Sequence, residues 1–554
     1  MKTLGLIIFL SLFQIITISA QDSLRWYLVQ YKDKNGTGYS LSSPEKYLSQ
    51  RAIERRQRYH IEIDSTDLPV SAKYILQLAN TGVKIVHNSK WLNASLILVS
   101  DTYKLQNIKN LSCVKKIEYR GAKKPAKRKK IYESDYNFNN KVKSVLTANR
   151  YAYGSAEAQV YQCNGQVLHN NGYTGKDMWI AVLDGGFYGV DRFAVFDSLR
   201  NENRLGGYYD FVDPSESFFE TESHGMSVLS VMAANAPGLL VGTAPAAKYW
   251  LMLCEDTNSE YPVEEDNWVC AAELSDSIGI DVISSSLGYG VFDDNSLSYK
   301  HEYMNGSYAH ASIGASMAGA KGILVVVSAG NSRDEEFSQV GSPADAKNTL
   351  TIGAVKLNGE ITYFSSAGPS ADGRVKPDVS ALGYNTALYR PNDTYGVGSG
   401  TSFASPVISG LAACLWQACR ELSPAEIIHL IQYSSSQYTN PDSLYGFGIP
   451  NFEKALSQGC SAANLKNDSN KQILVYPTIF TDSFTLQFSN AIFKNGAIRV
   501  TDNQGREVFN QKITNELAQT VVLPAQKRLS SGIYIVNIIS ENKKNAIQYK
   551  IFHL

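Results

Sequence analysis

The sequence predicts an α/β domain, a mostly parallel sheet with helices on both faces, preceded by a small α+β domain and followed by a small all-β sandwich. Three observations carry this. Between about 151 and 458, short and nearly continuous apolar runs alternate with helix-length runs, as expected for parallel strands buried on both faces. Residues 22–121 mix strand-like runs with helix-like ones. From about 472 onward only short strand-like runs remain, separated by turn words such as DNQG and SSG.

In chain order, MKTLGLIIFLSLFQIITISA comes first. Lys2 is a short positive region, an apolar run follows, and Ala20 is a plausible residue before cleavage. Residues 1–20 therefore read as a secretory signal peptide. The competing reading is a membrane anchor, for which the run is near the lower length limit. In 22–121, RWYLVQYK, SLILVS and CVKKIEYRG are strand-like; PEKYLSQRAIERRQRY and VSAKYILQLANTG are helix-like. KKPAKRKK, Lys123 to Lys130, is basic at six of its eight positions. It reads as part of an exposed linker, 122–150, open to proteolysis; polyanion binding is the other reading.

The domain at 151–458 alternates MWIAVLDGG, SVLSVMAAN, AKYWLMLCED, NWVCAAELSDSIG, IDVISSSLG, HASIGASMAGAKG and ILVVVSAGN. A polar linker at 459–471 precedes the β-rich block, 472–554. The length of 554 residues suits several domains. Lys plus Arg equals Asp plus Glu, 52 each, so no net field favours nucleic acid. Of seven cysteines, Cys254 and Cys270 flank an acidic loop and could close it as a disulfide, which export permits. Cys414 and Cys419 face different sides of one helix-like run. No paired CxxC and no HExxH occurs, so no metal centre is expected for the chemistry.

Ligands of parallel sheets gather at the carboxyl ends of the strands. There the sequence places Asp184 in IAVLDGG, Asn331 in VVVSAGNS, and Ser286, Leu287 and Gly288 in VISSSLGYG. His224 opens one helix-like run and Ser402, in GTSFASP, opens another. Each alone reads as structure: Asp184 as a turn residue, the GTSFASP hydroxyls as helix caps. Together they make a set. A serine hydroxyl needs a base, an imidazole serves near neutral pH, and a carboxylate orients it. An amide and a helix-start N–H supply oxyanion donors.

The words VLDGG, SHG, SAGNS and GTSFASP, in that order, resemble the subtilisin-like serine proteases, over about 300 residues; GTAPAAKYW, SPADAKNTLTIGAV, FSSAGP and KPDVSALG agree. The resemblance implies that Asp184 orients, His224 is the general base and acid, and Ser402 is the nucleophile. Asn331 and the Ser402 N–H would form the oxyanion hole. Ser286, Leu287 and Gly288 would pair with an extended peptide substrate. Gly185 and Met226 depart from the usual residues. His169 is the nearest rival histidine.

By the same resemblance, 22–121 is a propeptide that folds and inhibits its own protease, with EYRG as the tail in the cleft. The words VYPT, VTDNQGREV and LSSGIYIVNI resemble the C-terminal sorting domain of type IX secretion cargo. This implies partners in protein or peptide substrates, the propeptide and an outer-membrane secretion machinery, and a secreted or cell-surface location. No cofactor is required for the chemistry; structural calcium is common in the family, and VFDDNS is a candidate loop. The alternatives are an inactive binding scaffold of the same fold and an ester or lipid hydrolase, for which the GxSxG elbow is missing.

Overall fold

The computed structural model describes residues 24–124, 151–214, 217–335, 337–467 and most of 473–553. The N-terminal unit contains β1 (Arg25–Tyr31), α1 (Gln50–Arg58), α2 (Ala72–Ala79), β2 (Lys84–Ser89), β3 (Ala94–Val99), α3 (Lys104–Lys109) and β4 (Val114–Ala122). Its strands form an antiparallel sheet in the order β2-β3-β1-β4. Alternate residues of β1 face opposite ways. Val29 and Tyr31 pack with Leu78 of α2 and Ile108 of α3. Trp26 and Leu28 instead pack against Tyr261 and Val263 of the next unit.

The central unit begins with α4 (Glu157–Gln162), α5 (Gln166–Asn170), β5 (Trp179–Asp184), α6 (Asp197–Asn201), β6 (Leu205–Asp210) and α7 (His224–Ala233). Then come a small hairpin, β7 (Asn235–Ala236) and β8 (Leu240–Val241), β9 (Lys248–Leu253), α8 (Val263–Ile278), β10 (Val282–Ser285), α9 (His310–Ala320) and β11 (Leu324–Ser328). It ends with β12 (Thr349–Val355), β13 (Val379–Leu382), a hairpin of β14 (Thr386–Arg390) and β15 (Thr394–Gly398), α10 (Thr401–Ala418), α11 (Pro424–Ser434) and α12 (Phe452–Asn467). Seven strands make one sheet, ordered β13-β12-β11-β10-β5-β9-β6, and every pairing is parallel.

Strand parity sorts the sheet's two faces. Ile180 and Val182 of β5 join the core shared with α7 and α10. Ala181 and Leu183 join the other core, with Trp268 of α8 and Ala315 of α9. Asp184 follows Ile180 and Val182 by twos, so it emerges on the α7 side. The sequence contained no pattern strong enough to mark β2, β6 or α3.

Helix α8 is where the N-terminal unit is gripped. Asp276, fully buried, takes hydrogen bonds from Arg55 and Arg56, and Lys90 Nζ lies 3.4 Å away. Burial opposes its charge, but those three cations hold its carboxyl down at about 2. Glu273 accepts the Lys90 and Trp91 backbone N–H groups at 2.8 and 3.0 Å. Arg120 of β4 donates to Asp266 at 2.7 Å and to the Pro262 carbonyl at 2.8 Å.

The C-terminal block is a sandwich of a three-stranded and a five-stranded sheet. Phe484 and Leu486 of one sheet pack against Ile498, Val536 and Ile538 of the other.

Several expectations are corrected. Cys254 and Cys270 are not joined; both are free and buried, one ending β9 and the other inside α8. EYRG is no free tail. It lies inside β4, paired with β1, and its Arg120 is bonded to Asp266 of α8. The stretch expected as a linker from 459 begins inside α12, which runs to Asn467. Lys123 and Lys124 are docked, not loose: they pair with Asp213 and Asp293. The signal peptide, the rest of KKPAKRKK and the Cys460 side chain lie outside the described residues.

Candidate active site

Asp184 ends β5 and His224 begins α7. His224 Nδ1 and Asp184 Oδ1 are 2.6 Å apart. Two glycines permit the approach. A Cβ at Gly225 would come 2.6 Å from the Gly186 carbonyl oxygen and 2.8 Å from Asp184 Cβ. A Cβ at Gly186 would strike the Glu222 backbone at 2.3 Å. Asp184 is fully buried, and its Oδ1 also accepts the Gly185 N–H at 2.8 Å. Gly185 itself is explained: a Cβ there would lie 3.1 Å from Thr257 Cγ2 and 3.5 Å from Glu255 Oε2. Met226 points into the core and is fully buried.

Burial disfavours a charged His224. The Asp184 carboxylate beside it, their hydrogen bond, and the charges of Glu255 and Glu222 outweigh this and lift its pKa to about 9. The ring still exposes 39% of its side-chain surface, so water screens part of that attraction. The other face of the ring meets Phe403, with centroids 5.8 Å apart. That places the start of α10 beside the imidazole.

Ser402 sits in the first turn of α10 and is mostly buried. Its Oγ donates to the Ser286 carbonyl at 3.3 Å, not to His224. In return Ser286 Oγ donates to the Ser402 carbonyl at 2.8 Å. Pro406 explains why that carbonyl is available. It lies four residues on, inside the helix, and has no N–H to give back. The end of β10 and the start of α10 are thereby tied together.

None of the GTSFASP hydroxyls caps the helix. The N-cap is Gly400 and no side chain bonds there. Thr401 is used differently: its N–H and Oγ1 both donate to Asn331 Oδ1, at 2.8 and 3.0 Å. With its oxygen so committed, Asn331 presents its amide Nδ2 as the free donor, on the same side as the start of α10. Asn331 is exposed, as a group facing a cleft must be. Leu287 is buried, Gly288 is exposed, and neither joins a strand ladder among the described residues.

His169 lies elsewhere. It is buried, bonded to the Tyr153 hydroxyl at 2.8 Å and the Thr243 carbonyl at 3.0 Å. Burial pushes its pKa down to about 4, so it is a neutral core histidine. Among the described residues no group of three or more His, Cys, Asp or Glu side chains is arranged to hold a metal ion. In the VFDDNS loop, Asp293 is bonded to Lys124 and Asp294 caps a short turn through the Ser296 N–H. Two neighbours of the imidazole carry no motif in the sequence: Glu255, beside the Asp184 end of β5, and Phe403. The acidic word CEDTNSEYPVEED is the only local sign of Glu255.

Residues 175–448 match the Subtilase family. Residues 26–135 match the Peptidase S8 propeptide domain of Bacteroidota, and 474–552 the Secretion system C-terminal sorting domain. Subtilisin E of Bacillus subtilis is 30% identical over 315 residues, which span 56% of this chain and 73% of that one. Subtilisin of Bacillus pumilus is 30% identical over 303 residues, 53% of this chain and 97% of that one. Serine protease AprX of Bacillus subtilis is 28% identical over 351 residues, 57% and 73% respectively. On these matches, the chain belongs to the subtilase (S8) family of serine proteases and carries that family's Bacteroidota propeptide and a type IX secretion sorting domain.

Proposed function

We propose that the chain is a secreted serine endopeptidase made as a zymogen. Asp184 orients His224 and stabilises its charged form. His224 takes the proton of Ser402 and passes it to the leaving amine. Ser402 Oγ forms the acyl-enzyme, and water then releases the acid by the reverse relay. Asn331 Nδ2 and the Ser402 N–H receive the oxyanion. The extended substrate pairs with the backbone at Ser286, Leu287 and Gly288. Before the first step Ser402 turns its hydroxyl from the Ser286 carbonyl to the imidazole; such bonds commonly tighten only when substrate binds. The N-terminal unit holds the enzyme silent through α8 until it is removed. An N-terminal signal and the sorting domain take the protein across two membranes to the cell surface or beyond.

One observation carries this reading: the 2.6 Å His224–Asp184 bond stands beside a helix start that holds both Ser402 and the Asn331-bound Thr401. An active-site phosphonate tests it. Labelling should fall on Ser402 and vanish in Ser402→Ala. Processed protein that takes no label and digests no unfolded protein would instead be an inactive scaffold.

A further inference from the structure

Helices α8, α9 and α10 all start at the active-site end of the sheet and finish at its other end. There α8 leads into β10 and α9 into β11, and Trp179 begins β5, the neighbour of β10. The length of β5 puts roughly 16 Å between Trp179 and Asp184. The last carbonyls of a helix have no partner within it. At this base of the central unit they are answered from outside, by α1 of the N-terminal unit and the residues flanking it.

Arg55 is buried. It donates to the Asp276, Ile280 and Lys321 carbonyls at 3.2, 2.5 and 3.2 Å, and to the Asp276 carboxylate. Arg51 donates to the Gly279 and Asp177 carbonyls at 2.9 and 3.1 Å and to the Asp281 carboxylate. Its guanidinium lies 4.6 Å over the Trp179 ring. The Ser49 N–H reaches the Ser277 carbonyl at 2.8 Å. Tyr59 gives its hydroxyl to the Arg420 carbonyl, just past α10, at 2.9 Å and stacks on Trp416 at 6.0 Å. Two glycines let the chains come this close. A Cβ at Gly279 would lie 2.7 Å from Arg51 Cβ, and one at Gly322 would lie 2.8 Å from Ile61 Cδ1.

Everything that the central unit offers Arg51 and Arg55 is an acceptor: carbonyls, two carboxylates and a ring face. A guanidinium matches this. It carries five donors and no acceptor, in a planar fork that also stacks on rings, whereas an ammonium has three donors and no plane. The base keeps two cations of its own, and both are paired: Arg420 with Asp281, and Lys321 with Asp67 of the N-terminal unit.

Helix α1 belongs to this site more than to its own unit. None of its residues joins the apolar core of the N-terminal sheet. Tyr59, next along the chain, packs against the core of the central unit. The sheet has a separate hold. Arg120 meets Asp266, and Trp26 and Leu28 meet Tyr261 and Val263, around the start of α8. Along that helix Asp266 and Asp276 are about 15 Å apart.

We propose that the base of the central unit is a guanidinium-binding site with α1 as its ligand, and that it holds the N-terminal unit independently of the cleft. Attachment and inhibition are then separate. The sheet lifts from the start of α8 and frees the cleft while α1 stays seated. This separation rests on the zymogen reading above; the site itself does not.

The test uses the full chain. One pair of substitutions, Arg51→Lys with Arg55→Lys, keeps the charge and loses the fork. A second pair, Arg120→Gln with Lys124→Gln, weakens the cleft side only. Retention is the half-time with which the N-terminal unit leaves, read by gel filtration of Ser402→Ala protein nicked by trypsin between 125 and 150. Access is the rate of phosphonate labelling of Ser402 in the uncut chain. The lysine pair should shorten retention about tenfold or more, the factor carried by one bond to a charged group, and leave labelling close to the parent's. The glutamine pair should do the reverse, with labelling about tenfold faster and retention close to the parent's. Retention unchanged by the lysine pair overturns the site. Equal loss of the unit from both pairs overturns its independence. If the lysine pair does not fold, Arg51→Lys alone, at the part-exposed rim, decides the site in the same way. If no preparation labels at Ser402, the endopeptidase reading has failed, and retention still decides the site.

Discussion

Asp184 and His224 meet at 2.6 Å because residue 225 has no side chain. The helix that carries the imidazole approaches the strand end through Gly225 and Gly186. Gly225→Ala should therefore damage catalysis without touching any reacting atom. A methyl group placed 2.8 Å from Asp184 Cβ must push α7 away. The expected outcome is a fall in kcat of about 10²-fold, the cost of roughly 1 Å of misplacement, with KM changed much less. Steady-state kinetics on a peptide substrate reads it.

Removing the proposed nucleophile, Ser402, should be more severe. In subtilisin, to which this chain is similar, loss of the serine costs about 10⁶ in kcat, and that magnitude carries over to Ser402→Ala. Asn331→Ala should cost about 10² to 10³ in kcat, again the size known for subtilisin's own oxyanion donor. Because the amide acts on the developing charge, KM should stay nearly constant.

The rate should rise with pH through the alkaline range. His224 must be neutral to accept a proton, and its neighbours hold its charged form up to about 9. The sign follows: below that value the base is already protonated, above it the base is free. Glu255→Gln removes one of the charges that favour the imidazolium, so the acid limb of kcat/KM should move to lower pH. Glu255 itself titrates near 7, so the variant and the parent should converge in more acidic solution. An unmoved limb would show that Glu255 does not act on His224.

Asp276→Asn should loosen the N-terminal unit. It leaves Arg55, Arg56 and Lys90 facing a neutral, buried amide. Breaking one partner out of such a network costs about 3–5 kcal/mol. In Ser402→Ala protein nicked in the linker by added trypsin, the parent should keep its N-terminal unit through gel filtration. The Asp276→Asn protein should lose it.

Much of this was legible in the sequence. The alternation of MWIAVLDGG, SVLSVMAAN and their successors fixes strands and helices because each strand is apolar on both faces. The site words fall at strand ends and helix starts, and their complementary chemistry together with the resemblance of the four words groups Asp184, His224, Asn331 and Ser402. Polar, half-exposed elements were harder. β6, LGGYYD, has no apolar run, since its glycines lie against the Trp250 ring. EYRG looked like a tail because nothing local shows that Arg120 is held by Asp266, which lies 146 residues away. The hydroxyls of GTSFASP looked like caps because a capping residue and one bonded to Asn331 have the same composition. Only the tertiary partner tells them apart.

Helix α8 is interior in the intact chain, and the side that the N-terminal unit covers would become surface if that unit left. Glu273 and Asp276 would then pass from arginine, lysine and backbone donors to water, and Asp266 would exchange Arg120 for water while keeping His310. The matured protein would thus wear an acidic stripe that its precursor keeps covered, while the departing unit carries Arg55, Arg56 and Arg120 on the complementary face. Reassociation becomes a meeting of opposite charges across solvent, fast in dilute buffer and slowed by salt. The ionic strength of the surroundings would then set how fast a released N-terminal unit finds its partner again.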